Sequence, residues 1–206
     1  LTDNVAGWFA ALQTRGGTYL SIGVPSALID TNLLAFVGSA PLEVCSHTAQ
    51  GNLYWMYRWV TGGQGRPWRV EYLGQPQAQF SIFDQAHSIS TARANLSQAL
   101  HACRQFFRQH SYMQHWVAIF DSAQDSLQSA DPHMPYEGIV KPEHFPLAER
   151  QLLAAAARAY VFGGMGSWND NSFDGAAQQE FATLTRQLFE AVRMACIVAA
   201  NATAHT

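Results

Sequence analysis

Histidine and acidic side chains are the residues of this sequence that could hold a metal ion. The chain has eight histidines. His133 and His144 share a proline-rich segment with Glu137 and Glu143, so a metal site within that segment can be drawn. However, the sequence contains no H-E-x-x-H motif and no comparable ligand spacing. Solvated or hydrogen-bonded histidines explain the pattern better, and we predict no metal and no cofactor.

Two further groups of residues could support catalysis. Asp121 and Asp125 lie four residues apart, so a helix would place both carboxylates on one face, where a general acid and a general base could work together. Such a pair more often marks a solvated helix face. Ser167 follows Gly166, but no G-x-S-x-G motif is present, and a predicted helix precedes it instead of the strand that a nucleophile elbow requires. We therefore predict no catalytic residue.

The segment VFGGMGSWNDNSFDG, residues 161–175, is the most distinctive of the chain. Its glycines do not form the G-x-x-x-x-G-K-[ST] pattern of a phosphate-binding loop. A purely structural explanation is available. Gly163 can adopt the left-handed conformation that ends a helix, and Trp168 can bury its ring while its N–H remains hydrogen-bonded. The Asn and Asp residues that follow can bond to local backbone groups in turns.

A partner-binding role for the same segment is the interpretation that we adopt. The connection between the two predicted helices has about twelve residues, more than the ~2–8 that such a connection usually needs. A tryptophan framed by glycines, beside an amide and a carboxylate, is typical of a rigid interface anchor. The acidic residues would suit a basic partner, and the loop 129–146 is a further candidate part of the surface. The residues predicted to form or brace this surface are Gly164, Gly166, Ser167, Trp168, Asn169, Asp170 and Asp174.

The stretch YVFGGMGSWNDNSF, which follows an alanine-rich helix and precedes a long helix with AAN near its end, resembles a segment of small bacterial immunity proteins. Such proteins are encoded beside polymorphic or contact-dependent toxins and neutralise them by tight binding. The resemblance covers residues 147–201 and brings no known functional residue with it. It implies a one-to-one inhibitor of a cognate protein toxin, with no catalysis and no cofactor.

Composition and charge exclude several classes of partner. Charged residues make up 13% of the chain, the net charge is −3, and Lys141 is the only lysine, so neither a nucleic-acid-binding surface nor a polybasic membrane patch is expected. No apolar run approaches the ~18 residues of a membrane span. Three widely spaced cysteines without a C-x-x-C motif favour a reducing compartment. We predict a cytoplasmic protein, and the low surface charge is compatible with a homo-oligomer.

The elements that must position these residues follow from hydrophobic periodicity. The N-terminal part begins with a short amphipathic helix, capped by Thr2 or Asp3 and ended by Gly16. Aromatic and β-branched runs then predict strands, and the third is expected to be central because both of its faces are largely apolar. These strands cover residues 18–24, 33–37, 53–60, 68–73 and 80–83.

From residue 88 onward the apolar residues follow helical spacing. One helix covers the region from 88 to about 110, and a capping box of Ser111 and Gln114 opens the next. Two more cover 147–161 and the region from about 175 onward. We predict an α+β protein with an antiparallel sheet packed against about four C-terminal helices. It forms a single domain over residues 1–206, β-rich over 1–87 and helical over 88–206.

An aromatic cleft between the sheet and the helices is the basis of a rival prediction. It would be lined by Trp55, Tyr57, Trp59 and Trp68, with acids and histidines supplied by the loop 132–146. In that case the chain is a small-ligand-binding protein or an enzyme.

Overall fold

The computed structural model describes residues 4–23, 43–61, 69–76, 88–110, 113–135, 145–163 and 168–202. These residues form a four-stranded antiparallel sheet in the N-terminal part and five α-helices, four of them C-terminal. The predicted α+β class is therefore confirmed. The chain divides into two compact units. The sheet unit contains the first helix and the strands, the helical unit contains the other helices, and the single-domain assignment stays a prediction.

Helix α1 (Val5–Thr14) opens the sheet unit. Its N-cap is Asn4, whose Oδ1 accepts a hydrogen bond from the Gly7 N–H at 2.8 Å, so the prediction of Thr2 or Asp3 as the cap is wrong. An Asn side chain satisfies one of the N–H groups that the first turn leaves unpaired. Gly16 adopts φ +71°, where a side chain would be strained, and the helix ends before it as predicted.

Four strands follow: β1 (Gly17–Gly23), β2 (Glu43–Thr48), β3 (Leu53–Val60) and β4 (Arg69–Gln75). Each pairs with the next in the order β1-β2-β3-β4. Strand β3 thus has a neighbour on both sides, which confirms its predicted central position. Strand β2 was not predicted, because its sequence EVCSHT mixes polar and apolar residues. The predicted strands 33–37 and 80–83 lie outside the described residues.

Trp55 is the centre of the sheet unit's core and is 2% exposed. Its Nε1–H donates to Ser46 Oγ at 2.9 Å, and its ring meets that of Trp8 edge-on at 5.4 Å. Gly74 stands opposite Trp55 in the sheet register. A Cβ at that position would lie 2.8 Å from Trp55 Cζ3, so the buried indole needs a glycine on the neighbouring strand.

Four helices form the helical unit: α2 (Ile89–Arg108), α3 (Gln114–Ser126), α4 (Leu147–Ala159) and α5 (Gly175–Ala202). Each packs on the next, and α5 also packs on α2. Helix α4 is buried through alanines, and because their side chains are small the neighbouring helices can approach closely. The alanines that are 0% exposed are Ala154, Ala155, Ala156 and Ala159. None of the described helices combines the length and apolar character that crossing a bilayer would require.

The predicted capping box at the start of α3 is wrong. The helix begins at Gln114, so this residue occupies the first helical position and not the third. Its Nε2 donates instead to the carbonyl oxygens of Phe107 and His110, at 3.3 and 3.4 Å. Gln114 therefore joins α3 to the end of α2. Ser111 lies outside the described residues.

Candidate functional site

The candidate site is the connection between α4 and α5, residues 160–174, which we call the α4–α5 connection. It exceeds the ~2–8 residues of an ordinary helix–helix link, and its residues 168–170 form a single 3₁₀ turn. The structure describes it except for residues 164–167. Gly164, Gly166 and Ser167, three of the predicted partner-binding residues, therefore lie outside the described part.

Trp168 is fully buried, with 0% of its surface exposed. Its Nε1–H donates to Thr185 Oγ1 on α5 at 2.8 Å, and the Thr185 hydroxyl donates in turn to the Phe181 carbonyl at 2.7 Å. Among the described residues, five aromatic rings surround the indole with centroids 4.9–6.4 Å away, and we call them, together with Trp168, the aromatic cluster. They belong to α2, α3, the connection and α5: Phe107, Trp116, Phe120, Phe162 and Phe181.

This burial corrects one part of the sequence prediction. Trp168 does not present its ring to a partner, because the ring lies inside the helical unit and its only polar hydrogen is bonded internally. The structural alternative, in which the indole is buried with its N–H hydrogen-bonded, is confirmed. Trp168 is thus the internal anchor of the connection, and any contact with a partner must come from its neighbours.

The backbone on both sides of Trp168 is held by local hydrogen bonds. The Trp168 N–H donates to the Val161 carbonyl at 3.2 Å, and Asn169 Oδ1 accepts from the Gly163 N–H at 3.2 Å. Asn171 Nδ2 donates to the Trp168 carbonyl at 2.8 Å. Gly163 has φ +102°, a conformation that side chains rarely adopt. These bonds close the described ends of the connection onto each other.

Asp170 and Asp174 are the predicted residues that the structure places at the surface. Asp174 directly precedes α5, where the helix dipole favours a negative charge. Asn169 is half-buried and is used in the bond to Gly163. The connection therefore presents exposed carboxylates on a backbone that is fixed from beneath by Trp168.

Tyr160 is a surface residue of the connection that the sequence analysis missed. It follows the last residue of α4 and is 48% exposed, with its ring 5.7 Å from that of Phe162. An exposed tyrosine is an effective contact residue because it offers a large ring and a hydroxyl at low entropic cost. The sequence does contain a signal for this residue, because Tyr160 is an aromatic residue placed directly after the apolar stripe of α4 ends.

The residues considered for catalysis and metal binding lie partly within the described chain. Asp121 forms an ion pair with Arg104, and Asp125 is exposed. Within the described ranges, no group of three or more His, Cys, Asp or Glu residues could hold a metal ion. His144, Glu137 and Glu143 lie outside these ranges.

The cysteine thiols are poor nucleophiles in this fold. Burial raises the pKa of the Cys103 thiol to about 12 and that of Cys196 to about 11. Burial, with a smaller contribution from the nearby Glu43 charge, raises the pKa of Cys45 to about 11. Because the thiolate is the reactive form, these thiols stay protonated at neutral pH. All three cysteines are free.

A serine–histidine pair in the sheet unit was also missed by sequence reasoning. Ser21 Oγ lies 2.8 Å from His47 Nε2 across β1 and β2, and the Tyr19 ring stacks on the His47 ring at 4.0 Å. Nucleophile–base pairs in enzymes have this spacing. Here Ser21 is only 8% exposed, and the bond joins side chains of paired strands. We interpret it as a structural cross-strand bond.

The burial of Trp55 corrects the predicted lining of the aromatic cleft. Trp55 is buried within the sheet unit beneath Trp8, so it cannot line an open cleft. Trp59 and Tyr72 are 48% and 54% exposed on the sheet face that carries Trp55. Trp68 lies outside the described residues. An exposed aromatic surface therefore remains, without Trp55, which was predicted to help line the cleft.

Comparison with known proteins finds that no family model, no curated protein and no solved structure matches the chain. The resemblance to immunity proteins therefore depends on the segment 147–201 alone. Within that segment, the structure buries the Trp168 ring and exposes the carboxylates of Asp170 and Asp174.

Proposed function

We propose that this chain is a non-catalytic bacterial binding protein, an immunity protein that neutralises a cognate protein toxin through the α4–α5 connection. The main support is the exposure of Asp170 and Asp174 on a backbone anchored by the fully buried Trp168. A surface that is ordered before binding loses less conformational entropy when the partner arrives. The sequence resemblance over residues 147–201 supports the same function.

The charges of the connection define the kind of partner. Two exposed carboxylates and the exposed Tyr160 would suit a toxin surface that carries arginine or lysine beside an apolar patch. Charges at the rim of an interface act mainly on the association rate and on its salt dependence. The free cysteines are consistent with action in the cytoplasm, where a toxin would have to be stopped.

The test begins with affinity purification from the native lysate and identification of the captured protein by mass spectrometry. That protein is then expressed with and without this chain, and cell growth is measured. We expect it to arrest growth when alone and to be neutralised by the chain. A captured partner that is harmless, or whose toxicity the chain does not relieve, would refute the immunity function.

The surface is tested with a matched pair of double variants in a binding assay against the same partner. Asp170→Asn with Asp174→Asn removes the carboxylates of the connection, whereas Asp125→Asn with Glu190→Gln removes two exposed charges elsewhere in the helical unit. We expect only the first variant to slow association, by about tenfold at low salt. Equal effects of the two variants would show that the site lies elsewhere.

The alternative function, a small-ligand-binding protein or an enzyme, is supported by the exposed rings of Trp59 and Tyr72. Flat aromatic surfaces can stack planar ligands or sugars. Variants Trp59→Ala and Tyr72→Ala separate the two functions, because an immunity function through the α4–α5 connection should survive both. Loss of neutralisation in either folded variant would instead favour a role for the sheet face.

A further inference from the structure

A groove between α2 and α3 lies at the end of these helices away from the aromatic cluster. The two helices run antiparallel, because Ser97 Oγ donates to Gln124 Oε1 at 3.2 Å while the Phe107 and Trp116 rings lie 6.1 Å apart. The groove has a volume of about 280 Å³, close to the lower limit of ordinary small-molecule sites, ~300–1,000 Å³. The described polar residues that line it are Ser90, Arg93, Ser97, Gln124 and Gln128.

Arg93 brings a positive charge into this groove, where it is half-buried. Its Nη1 donates to Gln151 Oε1 at 2.7 Å, and its Nη2 donates to the Leu127 carbonyl oxygen. A guanidinium has five N–H groups, so three remain after these two bonds. Both acceptors are neutral, and within the described ranges no carboxylate pairs with Arg93. A partly desolvated charge of this kind is stabilised when an anion joins it.

The Arg93 guanidinium is held in place from inside the helical unit. Gln151, on α4, is only 8% exposed, and its Nε2 donates to the Ser129 carbonyl at 2.7 Å. Leu127 is the C-cap of α3 and is 1% exposed. These buried partners fix the guanidinium before any ligand arrives, so a ligand that binds it loses less conformational entropy on the protein side.

The rest of the lining surrounds Arg93 with further hydrogen-bonding groups. Because Gln124 Oε1 accepts from Ser97, the amide orientation is set and its Nε2–H groups have no acceptor within the described part of the chain. Gln128 is exposed on the same helix. None of the described residues that line the groove is acidic. A concave surface with a few converging polar groups is typical of small-ligand sites, and an arginine fork is well suited to a carboxylate.

We propose that this groove binds a small organic acid, whose carboxylate pairs with Arg93 and whose hydroxyl groups bond to Gln124 and Gln128. The inference does not rest on the proposed immunity function. The groove shares no residue with the α4–α5 connection, and Arg93 is about 21 Å along α2 from Phe107 of the aromatic cluster, at ~1.5 Å per residue. Either inference can therefore fail without the other.

The test compares gluconate with glucitol, which has the same hydroxylated carbon chain but no carboxylate, in NMR titrations of the ¹⁵N-labelled full chain. We expect gluconate at millimolar concentration to shift the side-chain N–H signals of Arg93, Gln124 and Gln128. Glucitol should leave them unchanged. Gluconate that shifts no signal of the groove, or glucitol that shifts them equally, would overturn the proposal. So would gluconate shifts that are spread evenly over arginines outside the groove.

A matched pair of variants locates the site. Gln128→Glu places a negative charge in the groove without removing a bond of Arg93, and it should weaken gluconate binding by about tenfold. Gln187→Glu adds the same charge on the exposed surface of α5 and should leave binding unchanged. Equal affinities of the two variants would refute the site.

Arg93→Gln removes the cation and should abolish the gluconate shifts, with circular dichroism as the check that the variant is folded. A folded Arg93→Gln variant that binds gluconate as well as the wild-type chain would also overturn the proposal. If Arg93→Gln does not fold, the comparison of Gln128→Glu with Gln187→Glu decides.

Discussion

Trp168 anchors the α4–α5 connection from inside the helical unit, where its indole N–H donates to Thr185 Oγ1. An indole needs an apolar environment for its ring and an acceptor for its N–H, and both a protein interface and a protein core supply these. The sequence around Trp168 is equally compatible with either. Phe107 and Trp116, which help to enclose the ring, are distant in sequence, so only the tertiary packing decides between the two locations.

Replacing Trp168 should therefore destabilise the helical unit. We expect Trp168→Ala to lower the free energy of unfolding by about 3–5 kcal/mol, because it leaves a cavity among five rings. Trp168→Phe should cost about 1–2 kcal/mol, mainly through the lost bond to Thr185. Urea denaturation monitored by circular dichroism measures both. Tyr160→Ala, an exposed aromatic in the same connection, is the control and should change stability little.

Equal stabilities for Trp168→Ala and Tyr160→Ala would contradict the role of Trp168 as an anchor. The comparison also bears on partner binding. If Trp168 affects partner binding only by holding the α4–α5 connection in place, the Trp168→Phe variant should keep most of its affinity for a partner as long as it is folded.

At the scale of elements, periodicity predicted α2, α4 and α5 well because each buries one apolar stripe on its neighbours. It missed β2, in which Glu43 and Ser46 are buried despite their polarity. Ser46 is accommodated because its Oγ accepts from the Trp55 indole. Cross-strand partners of this kind are invisible in a single run of sequence. The capping box predicted at the start of α3 was wrong for a similar reason, since the Gln114 side chain bonds to the preceding helix.

The junction of β3 and β4 should carry a pH-dependent contribution to stability. Hydrogen bonding from Arg58, with further contributions from Arg69, lowers the pKa of Glu71 below its ordinary value of 4.5. A carboxyl group whose pKa is lowered by folding stabilises the folded chain at any pH above its ordinary pKa. That contribution is lost as the pH falls through the lowered pKa. The effect should be small and sensitive to salt, because the groups are partly exposed.

Glu71→Gln tests this effect. We expect the variant to be less stable than the wild-type chain at pH 7 and equally stable at a pH well below the lowered pKa, in urea titrations at low salt. Glu180→Gln, on the exposed surface of α5, is the control for loss of one acidic charge. A difference between wild type and Glu71→Gln that persists unchanged into strong acid would show that the carboxylate charge is not its cause.

For the whole molecule, composition and pattern were sufficient to predict the α+β class and the change from strands to helices. They could not indicate which surface residues remain available for a partner, because burial depends on contacts between distant segments. The free cysteines offer a way to follow the two units separately. Cys45 belongs to the sheet unit, and Cys103 belongs to the helical unit.

We expect both thiols to resist alkylation in the native chain at neutral pH, because they are 0% exposed and their pKa values are raised by burial. If the chain is one domain, as predicted, both should become reactive at the same urea concentration. Pulsed alkylation followed by peptide mass spectrometry measures the two sites in one experiment. Separate transitions for Cys45 and Cys103 would show that the units unfold independently and would refute the single-domain prediction.

The alanines of α4 also affect how this sequence can change over time. Side chains at Ala154, Ala155, Ala156 and Ala159 are completely enclosed, and every amino-acid change that one base substitution makes at an alanine codon, except that to glycine, gives a larger residue. Added volume in a filled interior costs about 1–3 kcal/mol, so related chains with the same fold should diverge in their surface loops long before they diverge along this helix. The alanine-rich helix would then be a feature by which distant relatives can be found.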